Sequence, residues 1–364
     1  MRTFIDRMTS LKSVFKQFPC VAILGPRQCG KSTLAKHFLR TLKQSLYLDL
    51  EKRSDQHKVM HDPELFFNRN RKSIICLDEI QYAPELFSVL RSEIDERESA
   101  GQFLILGSAS PDLLRQSSES LAGRIAYIEL CPFSLLEVGA NHQFELWVKG
   151  GFPDSFLTQT DQESMLWRMQ YIKTFLERDI PQFGFRIPSR QIERFWMMLA
   201  HLNGQCLNRS KLGGALGVTH NTIQSYIDIL DQTFMIRVLQ PYEKNIKKRL
   251  VKSPKIYFRD TGILHALLQV DNEVALFGHP VYGSSWEGFV VEQLIRHYPN
   301  YRPFFVRAEK GAEIDLILEK GTHRFGVECK ASTSPSVSLA TKRLARDLDC
   351  DHLYIVAPIQ EAYP

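Results

Sequence analysis

The 364-residue chain lacks most of the features that would place it outside a reducing compartment. Its seven cysteines are an odd number, and no two of them form a C-x-x-C pair. That argues against a disulfide framework and against a structural zinc site. No apolar run is long enough for a signal peptide or a membrane span, and charges at Arg2, Asp6, Arg7, Lys12 and Lys16 break up the N-terminal stretch. Internal repeats and low-complexity tracts are absent. Strong charge of one sign is absent too: 46 Lys and Arg stand against 41 Asp and Glu, a formal net charge of +5, so only the distribution of charge can point to a partner. What remains is an ordinary globular composition, 44% hydrophobic and 24% charged. The expectation is a cytoplasmic protein with no membrane partner, long enough for two to four domains.

The N-terminal third carries the clearest chemistry. Cys20-Val-Ala-Ile-Leu24 reads as a buried parallel strand. It runs into Gly25-Pro26-Arg27-Gln28-Cys29-Gly30-Lys31-Ser32-Thr33, followed by a helical pattern. Strand, G-x-x-x-x-G-K-[ST] and helix in this order form a phosphate cradle. The glycines let backbone N–H groups turn inward, and the helix N-terminus adds partial positive charge. Lys31 is expected to reach the β- and γ-phosphates of ATP, and the Ser32 hydroxyl to ligate Mg²⁺. A second apolar run, Ser73 to Leu77, ends in Asp78-Glu79. A carboxylate pair at such a strand end faces the ligand crevice. Asp78 is expected to hold magnesium and Glu79 to orient the attacking water. A third run, Phe103 to Leu106, ends in Gly107-Ser108-Ala109-Ser110, which makes Ser108 a candidate γ-phosphate sensor with Ser110 in reserve. Leu121-Ala-Gly-Arg124 then leads into another strand. Arg124 is either an arginine finger toward a neighbouring subunit's nucleotide or a surface partner of a local carboxylate.

These segments, with Leu77-Asp-Glu-Ile-Gln81 and Gly150-Gly-Phe-Pro153, resemble the AAA+ ATPases of a largely uncharacterised prokaryotic family, in which a P-loop core precedes a C-terminal domain of unknown function. The resemblance spans essentially the whole chain and is specific over the nucleotide core. It implies ATP binding, a core followed by a lid, and a place for Pro153 near the adenine. It implies no substrate.

In the middle of the chain, Met165, Met169, Ile172 and Leu176 recur at helical spacing and predict a lid helix stopped by Pro181. Leu207 to Val218, broken at Gly217, and Thr219 to Leu230 then read as helix, glycine turn and capped helix, with His220, Asn221, Gln224 and Ser225 near an exposed end. This is helix-turn-helix grammar. Thr233 to Leu239 and Lys255 to Phe258 look like the strands of a wing. Between and within them lie Lys244, Lys247, Lys248, Arg249, Lys252, Lys255 and Arg259, with no acid from 244 to 259. That pattern fits phosphate contact with DNA. A basic hairpin left in solvent, or docked on an acidic protein, is the alternative.

The last hundred residues give a helix with Glu287, strands ending near Val306, Leu318 and Lys330, a helix from about 338 to 348 and a final strand. Asp315 and Glu328 can share a divalent ion if their strands are adjacent, and Glu328 and Lys330 lie two apart on one strand face. With Glu287 as a helical carboxylate, Asp315…Glu328-Cys-Lys330 resembles the PD-(D/E)XK restriction-endonuclease core. The resemblance implies Glu287, Asp315 and Glu328 as metal ligands and Lys330 as the lysine that assists water. An ion pair within the strand is the plainer account of Glu328 and Lys330.

The expected architecture is α/β: a P-loop AAA+ core over 1–140, a helical lid over 141–188, a winged helix over 189–265 and a nuclease-like domain over 266–364. The expected function is a Mg²⁺-dependent ATPase acting on DNA, a homo-oligomer through Arg124, with metal-dependent cleavage in its C-terminal domain. The alternative is a signalling or assembly ATPase whose nuclease-like core is inactive.

Overall fold

The computed structural model describes residues 7–110, 121–185, 187–243, 250–309 and 311–359. The chain divides into two compact units, Met1–Phe133 with Gln232–Phe234, and Ser134–Asp231 with Met235–Pro364.

The first unit is built on five parallel strands: β1 (Cys20–Leu24), β2 (Ser45–Asp49), β3 (Ile74–Asp78), β4 (Phe103–Gly107) and β5 (Ile125–Glu129). Their spatial order is β2-β3-β4-β1-β5. The unbroken apolar runs of β1 and β4 follow from burial on both faces. Along β1, Cys20, Ala22 and Leu24 pack with the helices Pro63–Arg69 and Leu86–Arg97 through residues such as Phe67, Phe87 and Leu90. Val21 and Ile23 face the opposite way, toward Leu11, Phe15, Leu34 and Phe38. The chain leaves β1 for the far edge of the sheet and returns through β3 and β4. The strand order therefore reverses beside β1, which opens a crevice at the carboxyl ends of β1, β3 and β4.

The second unit begins with helices. Asp161–Thr174 is opened by a capping box in which Thr160 Oγ1 accepts from the Glu163 N–H at 3.2 Å, and Glu163 answers to the Thr160 amide at 3.1 Å. Its inward face is Ser164, Arg168, Tyr171 and Ile172, and Met169 of the expected stripe is 45% exposed. Arg168 takes the interior place because carbonyls are there to meet it, Val148 O at 3.2 Å and Gly262 O at 3.0 Å. The helix Arg209–Leu216 ends at Gly217, whose φ of 74° suits a residue without a Cβ. Thr219 Oγ1 then accepts from Thr222 N–H at 3.2 Å and starts the helix His220–Gln232. Ile223, Ile227 and Leu230 of that helix are buried. Strands β6 (Ile236–Leu239) and β7 (Lys255–Phe258) follow as an antiparallel ribbon.

The C-terminal part has the helix Tyr282–His297, then β8 (Arg302–Arg307), β9 (Glu313–Lys320) and β10 (His323–Cys329), a helix over Leu339–Asp347, and β11 (His352–Val356). The strand order is β11-β10-β9-β8, with β8, β9 and β10 antiparallel and β11 parallel to β10. The sheet packs through Ile314, Ile317 and Val306 against Leu344, Ala345 and Leu348.

Candidate nucleotide site and a second carboxylate cluster

The loop after β1 is shaped by close approach of backbone. A Cβ at Gly25 would fall 2.0 Å from the Leu130 carbonyl oxygen, so only glycine fits there. Gly30 has φ 101° with open space around it, and it leads into the helix Lys31–Leu39. Gln28 also has a positive φ, 60°. Cys29 is buried and its thiol donates to Leu130 O at 3.1 Å, pinning the loop to the end of β5. Arg27 donates to the Tyr82 hydroxyl at 3.3 Å. Thr33 is exposed on the helix.

The Lys31 side chain is buried. Its ammonium donates to Gly25 O at 2.9 Å, Pro26 O at 2.8 Å and Ser108 Oγ at 3.0 Å. Ser108 in turn donates to Glu79 Oε1 at 3.0 Å. One hydroxyl at the tip of β4 thus links the lysine of the loop to the carboxylate after β3. Ser110 lies outside this link, and its amide donates to Gln232 O at 2.8 Å. Glu79 sits in a left-handed backbone conformation, φ 55°, and accepts from the Gln81 side chain. Asp78 is 3% exposed. It accepts from the Glu79 amide at 2.9 Å and from the Tyr47 hydroxyl, with Ser32 also bonded to it. Burial pushes the Asp78 carboxyl up, against the Ser32 and Tyr47 hydroxyls that favour its charged form. Tyr47 was not a sequence candidate. Its place in β2 beside β3 brings its hydroxyl to Asp78 from 31 residues away, which no local pattern signals.

The donor set fits a magnesium nucleotide. The glycine-lined loop and helix N-terminus leave a cradle for phosphates, Lys31 stands at its base, and Ser32 with Asp78 would supply the oxygen ligands magnesium prefers. Bound MgATP supplies the terminal phosphoryl group as the electrophile. In such a complex Lys31 would meet phosphate charge and Glu79 would orient water, and Ser108 is hydrogen-bonded to both.

Arg124 makes an ion pair at the surface. Its Nε and Nη2 meet the two Asp95 carboxylate oxygens at 2.6 and 2.9 Å, and Asp95 is half exposed. Pro153 belongs to the second unit, where it starts the short helix Pro153–Phe156. The preceding glycines serve that unit's interior: the Asp260 carboxylate accepts from Gly151 N–H at 2.7 Å, and a Cβ on Gly150 would sit 2.2 Å from Asp260 Oδ1.

In the second unit, Glu287, Asp315 and Glu328 come together at the end of the C-terminal sheet, with Glu313 added. The Asp315 Oδ2 atom accepts from the Cys329 amide at 2.8 Å, and Lys330 Nζ donates to Glu328 Oε1 at 2.6 Å. Glu328 Oε2 is buried with no partner. Burial, followed by the Glu287 charge, pushes Asp315 up to about 8, with Lys255 opposing. Among the described residues no group of three or more His, Cys, Asp or Glu side chains is arranged to hold a metal ion. Lys255 stands among these carboxylates. Its ammonium lies 2.8 Å from Glu287, 2.7 Å from Glu313 and 3.6 Å from Asp315. Sequence reasoning counted Lys255 as a wing charge. The period of two in Lys255-Ile-Tyr257 sets both polar side chains on one face, and the same period sets Glu313 beside Asp315.

The basic segment is likewise divided. Lys255 and Arg259 are buried, the latter 3.6 Å from Glu292. Lys252 is exposed, and Lys244, Lys247, Lys248 and Arg249 lie outside the described residues. On the second helix of the pair, His220, Asn221 and Ser225 are exposed, and Gln224 accepts from Arg209 at 2.6 Å.

Comparison with known proteins accords with the nucleotide site. Residues 17–139 match the AAA domain family, residues 140–274 a domain of unknown function (DUF8612), and residues 282–364 another domain of unknown function (DUF4143). An uncharacterized protein of Mycobacterium bovis is 40% identical over 359 residues, 99% of this chain and 81% of that one. An uncharacterized protein of Mycobacterium tuberculosis matches to the same extent. The chain belongs to the family of these two mycobacterial proteins. Among solved structures, a Walker-type ATPase of Pyrococcus abyssi is 15% identical, with a TM-score of 0.50 over 73% of this chain and 96% of that one, a likeness of fold. This family member is therefore an ATPase of the AAA type whose C-terminal regions match domains of unknown function. Among its described residues no helix is long and apolar enough to cross a membrane.

Proposed function

We propose that the protein hydrolyses ATP at the P-loop to drive or gate work on DNA, as a homo-oligomer in which Arg124 reaches a neighbouring subunit's nucleotide. The observation that carries the DNA reading is the helix pair Arg209–Leu216 and His220–Gln232. Its second helix starts with exposed His220 and Asn221, and an antiparallel ribbon follows whose connection holds Lys247, Lys248 and Arg249. A helix N-terminus of this kind suits a major groove, and a basic ribbon connection suits the backbone beside it. The seven free thiols support a cytoplasmic setting.

The test is DNA binding followed against salt. Changing Lys247, Lys248 and Arg249 to Glu should weaken binding and reduce the slope of log K against log salt by roughly two to three, since each neutralised phosphate contributes about 0.9. Equal affinity and equal slope in parent and variant would move DNA contact elsewhere.

The order of helix, three antiparallel strands, helix and parallel strand, with Glu287, Asp315, Glu328 and Lys330 at one end of the sheet, supports a restriction-endonuclease-like reading of the C-terminal domain. Metal-dependent DNA cleavage is the activity such a core would add. A second reading is a C-terminal half that binds its partner without cutting. One observation favours it, the Lys255 ammonium among the carboxylates.

A further inference from the structure

The carboxylate cluster of the C-terminal sheet already contains a cation, and that cation is held from several directions. The Lys255 side chain is 2% exposed. Its backbone is paired with Leu239 across the β6–β7 ribbon and bridged to Cys206 on the other side. Its ammonium lies 5.8 Å from the Tyr257 ring centre and 5.5 Å from that of Phe305. The Tyr257 hydroxyl closes on the same Glu287 oxygen that Lys255 meets, at 2.5 Å. An ammonium fixed in this way has little room to swing aside.

A divalent ion at this place would need the space that Lys255 fills. Magnesium takes oxygens at about 2.0–2.1 Å in near-octahedral array. Here the oxygens of Glu287, Glu313 and Asp315 converge on a nitrogen at 2.7–3.6 Å instead. Two further carboxylate oxygens are engaged, Asp315 Oδ2 by the Cys329 amide and Glu328 Oε1 by Lys330, and the unpartnered Glu328 Oε2 is one oxygen, too few to hold the ion alone. The charge logic agrees with the geometry. Three carboxylates in a partly dry site repel one another, and one buried ammonium reduces that repulsion without a metal.

We infer that Lys255 is the resident cation of this cluster: it fastens the β6–β7 ribbon to the four-stranded sheet and excludes Mg²⁺ and Mn²⁺ from Glu287, Glu313 and Asp315. The inference rests on the second of the two C-terminal readings and gives it a cause. It makes no use of DNA binding, so failure of the DNA proposal would leave it standing.

The experiment is a Mn²⁺ titration of the full chain without nucleotide, with free Mn²⁺ read by electron paramagnetic resonance. Asp315→Asn in the parent background should leave Mn²⁺ binding unchanged. Lys255→Met should create one new site, at least tenfold tighter than anything in the parent, and Lys255→Met/Asp315→Asn should lose it. Lys255→Arg, which keeps the charge, should behave as the parent. The inference is overturned if the parent binds a Mn²⁺ that Asp315→Asn removes. It is also overturned if Lys255→Met retains ATP binding and a native far-ultraviolet spectrum yet gains no Mn²⁺. Should Lys255→Met fail to fold, the comparison of parent with Asp315→Asn decides the matter alone.

Discussion

Replacing Ser108 with Ala tests the nucleotide site at its narrowest point. The Ser108 hydroxyl accepts from Lys31 Nζ and donates to Glu79 Oε1, both at 3.0 Å, and is 2% exposed. Alanine removes both bonds with almost no change of shape. Lys31 keeps Gly25 O at 2.9 Å and Pro26 O at 2.8 Å, so it stays in the loop. Glu79 keeps the Gln81 side chain but loses the donor that sets its reach toward the crevice. A hydrogen bond to a charged group contributes about 1.5–3 kcal/mol, which corresponds to roughly 10- to 150-fold in rate if it is needed in the transition state. The expected outcome is a fall of that size in kcat, with the dissociation constant for ATP changed less than about tenfold, because the phosphate cradle and Lys31 remain. Single-turnover hydrolysis of ATP and nucleotide binding by fluorescence separate the two effects. A kcat within twofold of the parent would refute the role of Ser108 in holding Glu79. Loss of ATP binding with kcat intact would refute it as well, and would make the serine a phosphate-binding group.

Two other perturbations reach different parts of the chain. Arg124→Ala should bind ATP as the parent does and hydrolyse it slowly, and mixing it with Lys31→Ala subunits should restore part of the activity. A protein that is monomeric with ATP and fully active would contradict this. Glu292 is 3% exposed among Arg237, Arg259 and Arg296, with Asp231 also facing Arg237 and Arg259. Glu292→Gln leaves buried guanidinium charge without its nearest partner, a loss of about 3–5 kcal/mol. In a unit of this size that lowers Tm by roughly 6–20 °C, measured by calorimetry, and a shift under about 2 °C would mean the arginines find other partners.

The nucleotide site was legible because its signals are local. Glycine spacing, a lysine and a hydroxyl follow one buried strand, and two further strand ends carry Asp78-Glu79 and Ser108. Strands covered on both faces are continuous apolar runs, so β1, β3 and β4 stood out in the sequence. The C-terminal strands were found to within a few residues, although β8 and β11 are not buried along most of their length. What stayed hidden depends on contacts between distant segments. Tyr47 meets Asp78 only because β2 lies beside β3, and Arg168 turns inward only because Val148 and Gly262 offer carbonyls. Lys255 looked like a solvated wing charge, since the acids that bury it are contributed by a helix and a strand more than 30 residues later. Charge counting along the chain cannot see such pairing.

The proposed activity depends on hydrolysis of ATP by water that Glu79 orients. Glu79→Gln keeps the size and hydrogen-bonding reach of the side chain and removes its negative charge. The most direct measurement is therefore ATP binding and turnover by the parent, Glu79→Gln and Lys31→Ala proteins in Mg²⁺. Glu79→Gln should bind ATP as the parent does while turnover falls by about 10² or more, and Lys31→Ala should bind weakly. Undiminished hydrolysis by the Glu79→Gln protein would contradict the role of Glu79.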